Sequence, residues 1–267
     1  MLLEKAAGAR DADIVADGAG LRRPPILRLV ALTEAIQDYL EKLYWFGEAG
    51  IEPTQVNLAR AMSVSQPSVT EMVRRLVDEG LVRRDERKRI RFTEHGEEVA
   101  RHIVSRHRLI EAFLVQVFGI PWDEVHEEAH TFEHAISPNL ERRMYELLAD
   151  AKACPHGHPI GDAPREAGEP LGSQPVGSRV RVLRLENEDP DLLRAFKRAG
   201  VEPGDTIAVT GLVNGDMQLS TRVGDASVPV EAAQTVSVAV VERGTGPKST
   251  AATVDPSAYL ATSSWGR

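Results

Sequence analysis

Residues 53–92 read PTQVNLARAMSVSQPSVTEMVRRLVDEGLVRRDERKRIRF, and this stretch decides the fold of the first part of the chain. An amphipathic run, QVNLARAM, is followed by a break, SVSQ, and by a second amphipathic run, which is the order helix, turn, helix. β-Compatible residues around a charged turn then predict a two-stranded hairpin. Its segment 83–91 holds six basic residues against two acidic ones. The stretch therefore predicts a winged helix-turn-helix, with a plain helical hairpin and a solvated turn as the alternative.

The second of these helices begins with short polar side chains. Pro67 suits a first helical turn, while Val69, Val73 and Leu76 recur at i, i+4 and i+7 and are expected to pack inward. Polar groups at this end of a recognition helix reach the major groove of DNA. The candidate DNA-binding residues of this helix and of the hairpin are Ser65, Gln66, Pro67, Ser68, Thr70, Glu71, Arg74, Arg87 and Lys88.

Helical periodicity continues on both sides of the helix-turn-helix. Thr33 is the expected N-cap of the run TEAIQDYLEKLYWFG, and Gly119-Ile120-Pro121 ends a long helix downstream. Helices are expected over residues 33–47, 94–118, 122–136 and 137–149.

The residue composition changes after a stretch rich in proline and glycine. Residues 179–241 contain the β-branched runs RVRVLRL, TIAVTGLV, MQLSTRV and TVSVAVV, separated by turn residues. Short strands at such close spacing predict a small β-barrel.

Composition excludes several classes of protein. The chain has 267 residues, of which 42% are hydrophobic and 27% charged, as in ordinary globular proteins. A net charge of −8 argues against uniform coating of nucleic acid, although binding depends on one face. No apolar run is long enough to span a bilayer, and the acidic N-terminus does not read as a secretory signal. The single cysteine excludes an internal disulfide, so we expect a cytoplasmic protein.

Histidine and carboxylate residues recur at helical spacing in the middle of the chain. Four of them stand at i, i+4, i+7 and i+8 on one helical stripe: His126, His130, Glu133 and His134. Two further helices carry pairs spaced by three or four residues: Asp38 and Glu41, and His107 and Glu111.

Burying this many titratable groups costs free energy unless an opposite charge compensates them, and a divalent cation does so. Each histidine alone reads as an ordinary surface or core residue, but the joint pattern indicates a metal site. Imidazole and carboxylate donors suit Mn²⁺, Fe²⁺, Co²⁺ or Zn²⁺ better than thiolate-preferring metals.

The order of a winged helix-turn-helix, RHRLIEAFL, DEVHEEAHTFEH and PHGHPI resembles the DtxR/MntR family of iron- and manganese-dependent repressors over roughly residues 30–240. The resemblance implies a mainly α protein with a winged helix-turn-helix domain, a helical dimerisation and metal-binding domain, and a C-terminal SH3-like (FeoA-like) barrel. It also implies a homodimer that binds double-stranded operator DNA, has no enzymatic activity and has no membrane partner.

The resemblance further implies two metal positions per subunit. The regulatory position matches Asp38, His130, Glu133 and His134, and Glu41 looks like the manganese-sensing branch. The ancillary position matches His107, Glu111 and His126, to which the barrel of iron sensors adds two oxygen ligands, here taken as Glu186 and Asp189.

Three departures from the iron-sensor pattern affect specificity. Asp38 replaces a methionine, which favours Mn²⁺, whereas an imidazole at His130 also serves Fe²⁺ or Zn²⁺. Glu71 replaces a glutamine and cannot donate to a base, so operator preference is expected to differ. Mn²⁺ or Fe²⁺ is the expected cofactor, with Zn²⁺ or Co²⁺ as surrogates. The segment 154–159, CPHGHP, is interpreted as a loop ending the helical domain and not as a separate metal site.

The expected segments are a flexible extension (1–28), the winged helix-turn-helix domain (29–98), the helical domain (99–158), a linker (159–178), the barrel (179–242) and a disordered tail (243–267). Two rival functions remain open. One is a non-haem metal-dependent enzyme, which leaves the helix-turn-helix unexplained; the other is a helix-turn-helix regulator that senses an organic ligand.

Overall fold

A computed structural model describes residues 32–148 and 150–249. The extension over 1–28 lies outside the described residues, as does the last part of the expected tail, 250–267. The described residues begin with three helices: α1 (Glu34–Ala49), α2 (Gln55–Ala61) and α3 (Gln66–Asp78).

Local capping explains where α2 and α3 begin. The Thr54 side chain accepts a hydrogen bond from the Asn57 amide at 3.1 Å, and Ser65 accepts one from the Ser68 amide at 3.3 Å. Such caps satisfy amide groups that a first helical turn leaves unpaired. Pro67 in the first turn of α3 loses no helical hydrogen bond.

A short antiparallel hairpin follows, formed by β1 (Val82–Arg84) and β2 (Ile90–Phe92). The Asp85 carboxylate organises the turn, because its Oδ1 accepts from the amides of Arg87 and Arg89 at 2.9 Å. Apolar residues of α1, α2, α3 and the hairpin share one buried core. The predicted winged helix-turn-helix is confirmed.

The helical middle of the chain consists of α4 (Glu94–Phe118), α5 (Val125–Glu133) and α6 (Pro138–Leu147). Gly119 ends α4 in a left-handed conformation, with φ of 69°. The helix expected over 122–136 is shorter in the structure. α4 packs against both α1 and α5, so it joins the DNA-binding fold to the helical domain.

The C-terminal unit is a six-stranded antiparallel sheet with the order β3-β8-β4-β5-β6-β7 around its own apolar core. Its strands are β3 (Glu169–Pro170), β4 (Arg179–Leu185), β5 (Thr206–Val213), β6 (Asp216–Thr221), β7 (Gly224–Pro229) and β8 (Val236–Glu242). Two helices accompany them, α7 (Pro190–Ala199) and α8 (Val230–Ala233).

Several boundaries differ from expectation. β3 pairs with β8, and Leu171 is buried in the barrel core, so part of the expected linker belongs to the barrel. The start of the expected disordered tail is also ordered, since the Val176 amide donates to the Pro247 carbonyl at 3.0 Å and the Gly246 amide to the Val176 carbonyl. The amphipathic helix α7 was not predicted. Within 32–148 and 150–249, none of the helices combines the length and apolar character needed to cross a membrane.

Candidate metal centre and nucleic-acid interface

The first turn of α3 presents a polar, solvent-exposed surface. Val69, Val73 and Leu76 are fully buried, which turns the opposite face of the helix outward. Ser65 and Ser68 are joined by a hydroxyl contact of 2.8 Å. The predicted DNA-contacting side chains of α3 are all exposed: Ser65, Gln66, Pro67, Ser68, Thr70, Glu71 and Arg74.

The tip of the wing carries exposed basic side chains. Arg87 and Lys88 lie in the turn between β1 and β2, and both are exposed. Lys88 has a left-handed backbone conformation, with a φ of 60°, and its amide donates to the Asp85 carbonyl oxygen across the turn. Phosphate groups of DNA are the natural partners of such side chains.

Four predicted ligands from two helices converge on one cluster, here called the regulatory cluster: Asp38, His130, Glu133 and His134. One donor atom of each lies within 4.8 Å of the others. Asp38 comes from α1, whereas the other three residues come from α5 and its C-terminal cap. His134 Nε2 lies 3.5 Å from Asp38 Oδ1, and His130 Nδ1 lies 3.0 Å from Glu133 Oε1. Burial raises the pKa of Asp38, and this effect outweighs the lowering of that pKa by His130 and His134.

A second group, the ancillary cluster, joins α4 and α5 to the barrel: His107, Glu111, His126 and Glu188. His107 Nε2 lies 3.2 Å from Glu111 Oε1, and His126 Nδ1 lies 2.7 Å from Glu188 Oε2. Burial disfavours charge on His107, but Glu41, Glu111 and Glu133 outweigh it and raise its pKa well above the usual range. The carboxylates around His107 therefore favour the charged form of its imidazole.

Glu41 lies between the two clusters, grouped with His107 and Glu133. It was predicted as a metal ligand on the first helix, together with Asp38. Its Oε1 lies 3.6 Å from His107 Nδ1. Burial, and then repulsion from Glu133, raise the pKa of Glu41 to about 8.

The donor atoms fit a divalent cation. Among the described residues, several buried atoms that could ligate an ion have no hydrogen-bond partner: Asp38 Oδ1, Glu41 Oε1, Glu111 Oε2 and His134 Nδ1. An unpaired buried polar atom costs free energy that coordination to an ion would recover. The donors are imidazole nitrogens and carboxylate oxygens, the set preferred by manganese, iron and zinc.

The barrel residues chosen from sequence differ from those that the structure brings to the cluster. Glu186 is engaged by guanidinium groups, with Arg165 at 2.8 Å and Arg184 at 3.1 Å. Asp189 caps α7 by accepting from the amides of Asp191 and Leu192. Glu188 lies in the ancillary cluster instead, so Glu186 and Asp189 are replaced by this single carboxylate.

The loop 154–159 also differs from its interpretation as a plain loop. Cys154 and His156 are buried, and each places a donor within 4.8 Å of Glu111 and Glu188 donors. His156 Nδ1 lies 3.3 Å from Glu111 Oε1. Burial opposes charge on His156, but Glu111 and Glu188 raise its pKa well above the usual range. The signal in the sequence was the adjacency of thiol and imidazole in CPH, which the loop interpretation set aside.

Family models match three successive parts of the chain. Residues 31–90 match the N-terminal DNA-binding domain of iron-dependent repressors, and residues 93–162 match their metal-binding and dimerisation domain. Residues 169–240 match the FeoA domain. This order agrees with the winged helix, helical domain and barrel described above.

Known proteins resemble the chain over most of its length. The iron-dependent repressor IdeR of Mycobacterium tuberculosis is 32% identical over 210 residues, which cover 77% of this chain and 84% of the relative. The diphtheria toxin repressor of Corynebacterium diphtheriae is 32% identical over 195 residues, covering 72% and 84%. A solved manganese-dependent transcriptional repressor in complex with manganese is 31% identical with a TM-score of 0.70, covering 77% of this chain and 100% of that one.

The fold, the donor clusters and these matches define a winged-helix DNA-binding protein with a metal-binding and dimerisation domain of the iron-dependent repressor type. The chain belongs to the DtxR/MntR family of iron- and manganese-dependent transcriptional repressors. This confirms the resemblance and the fold class read from the sequence.

Proposed function

We propose that this chain is a homodimeric transcriptional repressor, not an enzyme, whose operator binding is activated by Mn²⁺ or Fe²⁺. The observation that carries the proposal is the regulatory cluster, in which Asp38 of α1 meets His130, Glu133 and His134 of the helical domain. A ligand set drawn from two domains makes metal binding and domain orientation one event.

The physical basis is a shift between domain orientations. Without an ion, Asp38 and Glu133 are like charges that disfavour the joined arrangement, which an ion held by both domains would favour. A change from about 1:99 to 99:1 requires roughly 5.5 kcal/mol of differential affinity. Four donors from two domains are a reasonable source of that difference. The joined arrangement would fix the spacing of the two recognition helices, which must match successive major grooves.

We infer two metal positions per subunit from the same geometry, the regulatory cluster and the ancillary cluster. Asp38, Glu41 and Glu133 favour hard ions such as Mn²⁺, and His130 also accommodates Fe²⁺, Zn²⁺ or Co²⁺. Replacing His130 with cysteine is expected to move the preference from Mn²⁺ towards softer ions. Isothermal titration of the His130→Cys variant and the unmodified chain with Mn²⁺ and Zn²⁺ would measure the change.

We infer that the DNA-binding unit covers 29–98 and the metal-binding unit 99–158, and that the protein acts in the cytoplasm.

Exposed apolar side chains at the end of α4 and on α6 support a dimer surface on the helical unit: Val117, Phe118, Leu140 and Leu147. Apolar patches of this kind mark contact surfaces between proteins. We assign DNA contact to the exposed face of α3 and to the wing tip.

The test is DNA binding as a function of metal. Double-stranded oligonucleotides are enriched from a random pool by the Mn²⁺-loaded protein, and the enriched sequence is then titrated at fixed salt, because phosphate contacts make affinity depend on salt. We expect tight binding with Mn²⁺ or Fe²⁺ and loss of binding with a chelator. The double variant Asp38→Ala, Glu133→Ala should bind the DNA weakly at every metal concentration. The Glu128→Ala control should bind the DNA more tightly when metal is added, as the unmodified chain does. Equal binding with and without metal would overturn the proposal.

A further inference from the structure

Lys42 is a buried lysine on α1, next to two residues of the metal-ligand groups. Only 7% of its surface is exposed. It follows Glu41 directly and lies one helical turn after Asp38. Its ammonium nitrogen is 4.7 Å from the centre of the Trp45 ring. Lysine is almost never buried to this extent unless another group compensates its charge, so the burial of Lys42 indicates an electrostatic role.

Carboxylates from both clusters act on the Lys42 ammonium group. Burial lowers the pKa of Lys42 to about 8, and the negative charges of Glu41, Glu188 and Asp38 oppose that lowering. Glu188 belongs to the ancillary cluster and Asp38 to the regulatory cluster. One side chain thus interacts with carboxylates of both metal positions inferred above.

Two arginines near the clusters are paired with carboxylates outside them. Arg108 forms an ion pair with Glu48, and Arg165 forms ion pairs with Glu48 and Glu186. Neither Glu48 nor Glu186 belongs to the groups of candidate metal ligands. The charges of these arginines are therefore balanced by other partners, whereas the charge of Lys42 acts on the candidate ligands themselves.

The charges of the candidate ligands can be compared with those of two metal ions. The groups contain five carboxylates, all buried or partly buried: Asp38, Glu41, Glu111, Glu133 and Glu188. Histidine binds a metal ion in its neutral form, so two divalent ions supply four positive charges against five negative ones. The Lys42 ammonium group supplies the fifth. Because net charge in a buried site costs free energy, two divalent ions and a charged Lys42 form the balanced state.

We propose that Lys42 is a built-in counter-cation that lowers the metal affinity of both clusters and so sets the concentration of Mn²⁺ or Fe²⁺ at which the protein responds. The proposal rests on the two metal positions of the proposed function and adds a residue that weakens both. An ammonium group repels a divalent ion that binds the same carboxylates. In a partly buried site, this repulsion is sufficient for a change of about tenfold or more in each dissociation constant.

A packing role for Lys42 predicts the opposite sign. The ammonium group covers the Trp45 ring, whose centre lies 5.6 Å from that of His126 and 5.9 Å from that of His107. A Lys42 that acted only by holding Trp45 against these two ligands would strengthen metal binding, and its removal would weaken it. A Lys42 that acts by its charge weakens metal binding, and its removal tightens it. The direction of the change separates the two roles.

The test measures Mn²⁺ binding to the full chain in the absence of DNA. Electron paramagnetic resonance counts free Mn²⁺ at fixed pH and salt, which gives the number of bound ions and their dissociation constants. Lys42→Met keeps most of the side-chain length without the charge, so we expect two ions per subunit with each constant lowered by about tenfold or more. Lys42→Arg keeps the charge and should retain the affinity of the unmodified chain. Lys248→Met, at an exposed site, is the control.

The same variants test the response of the protein to metal. The Mn²⁺ concentration at half-maximal DNA binding should fall in Lys42→Met by a factor similar to that in the dissociation constants. In Lys42→Arg it should stay near that of the unmodified chain. Circular dichroism and urea unfolding of the metal-free protein check that each variant is folded, and Lys42→Gln takes the place of Lys42→Met where the latter does not fold.

Three results would overturn the role of Lys42. The first is a folded Lys42→Met variant whose Mn²⁺ affinity is unchanged or weaker. The second is a Lys42→Arg variant that gains as much affinity as Lys42→Met, because side-chain shape and not charge would then decide. The third is an unmodified chain that binds fewer than two Mn²⁺ ions, because the charge balance would then not require Lys42. A failure of the proposed function looks different, since the unmodified chain would then bind DNA equally with and without Mn²⁺ whatever its affinity for the ion.

Discussion

The Nδ1 atom of His107 lies 3.0 Å from Oε2 of Glu133, and this contact connects the two metal-ligand clusters. His107 directs its other nitrogen to Glu111 at 3.2 Å, in the ancillary cluster. Glu133 directs its other oxygen to His130 at 3.0 Å, in the regulatory cluster. Each residue is therefore a candidate ligand of one ion and a hydrogen-bonding neighbour of the other ion's ligand. A substitution in one cluster should therefore alter metal binding in the other.

Replacing Glu133 with glutamine should weaken Mn²⁺ binding in both clusters. The amide cannot supply an anionic oxygen to the regulatory cluster, and it no longer anchors His107 as a carboxylate does. Loss of such an outer partner typically costs about 10- to 100-fold in metal affinity. Titration calorimetry measures the affinities, and Glu128→Gln, exposed on the same helix, is the control. An effect limited to the regulatory cluster would show that the contact between His107 and Glu133 does not couple metal binding in the two clusters.

Replacing Arg87 with alanine should weaken DNA binding nearly equally for all sequences. Arg87 is exposed at the wing tip, where a phosphate contact gives affinity but little base preference. The slope of log affinity against log salt should fall by about 1, as expected for one lost phosphate contact. Fluorescence anisotropy over a salt series measures this slope. Arg198→Ala, exposed on the barrel helix α7, should leave it unchanged; an unchanged slope in Arg87→Ala would remove the wing from the interface.

Gly96 is a contact point between α4 and the start of the wing. A Cβ atom at this position would lie 1.7 Å from the Leu81 carbonyl oxygen, so one of the two backbones must move. We expect Gly96→Ala to lower the free energy of unfolding by about 1–3 kcal/mol. Gly47→Ala in α1 meets nothing within 4 Å and should instead be stabilising by roughly 0.5–1 kcal/mol. Urea denaturation with a chelator present compares them, and similar values for the two variants would contradict the contact.

Burial, and then the charge of Arg106, lower the pKa of His102 from 6.5 to about 4. Its Nε2 lies 3.4 Å from Oε1 of Glu141, but burial raises the pKa of that carboxyl as well, so the pair is stabilised in its uncharged form. The unfolded chain therefore binds a proton between these values that the folded chain excludes, so this residue's contribution to stability falls as pH falls from about 6.5 to 4. The contribution is up to about 3 kcal/mol. In His102→Asn, the loss of stability between pH 7 and pH 5 should be smaller than in the unmodified chain. Urea denaturation of metal-free protein measures it; His95→Asn, at an exposed site, should behave like the unmodified chain, and equal losses in His102→Asn would refute the shift.

Much of the architecture could be predicted from the sequence because it depends on local periodicity. The bounds predicted for α4, residues 94–118, agree with the structure. Helical periodicity that ends at a glycine is a local property of the chain. The spacing of His130, Glu133 and His134 likewise places them together wherever a helix forms. The helix-turn-helix, the wing and the strands of the barrel followed from similar patterns.

Only the tertiary structure decided which residues meet across elements. Glu186, Glu188 and Asp189 are nearly equivalent in the sequence, but packing of the barrel against α4 and α5 turns Glu188 alone towards His126. The same packing brings Cys154 and His156 against Glu111, more than 40 residues away along the chain. These contacts depend on the relative position of separate elements, which no local spacing encodes. The sequence by itself determined the helices and their ligand-bearing faces, whereas the packing between domains determined how those faces combine into metal clusters.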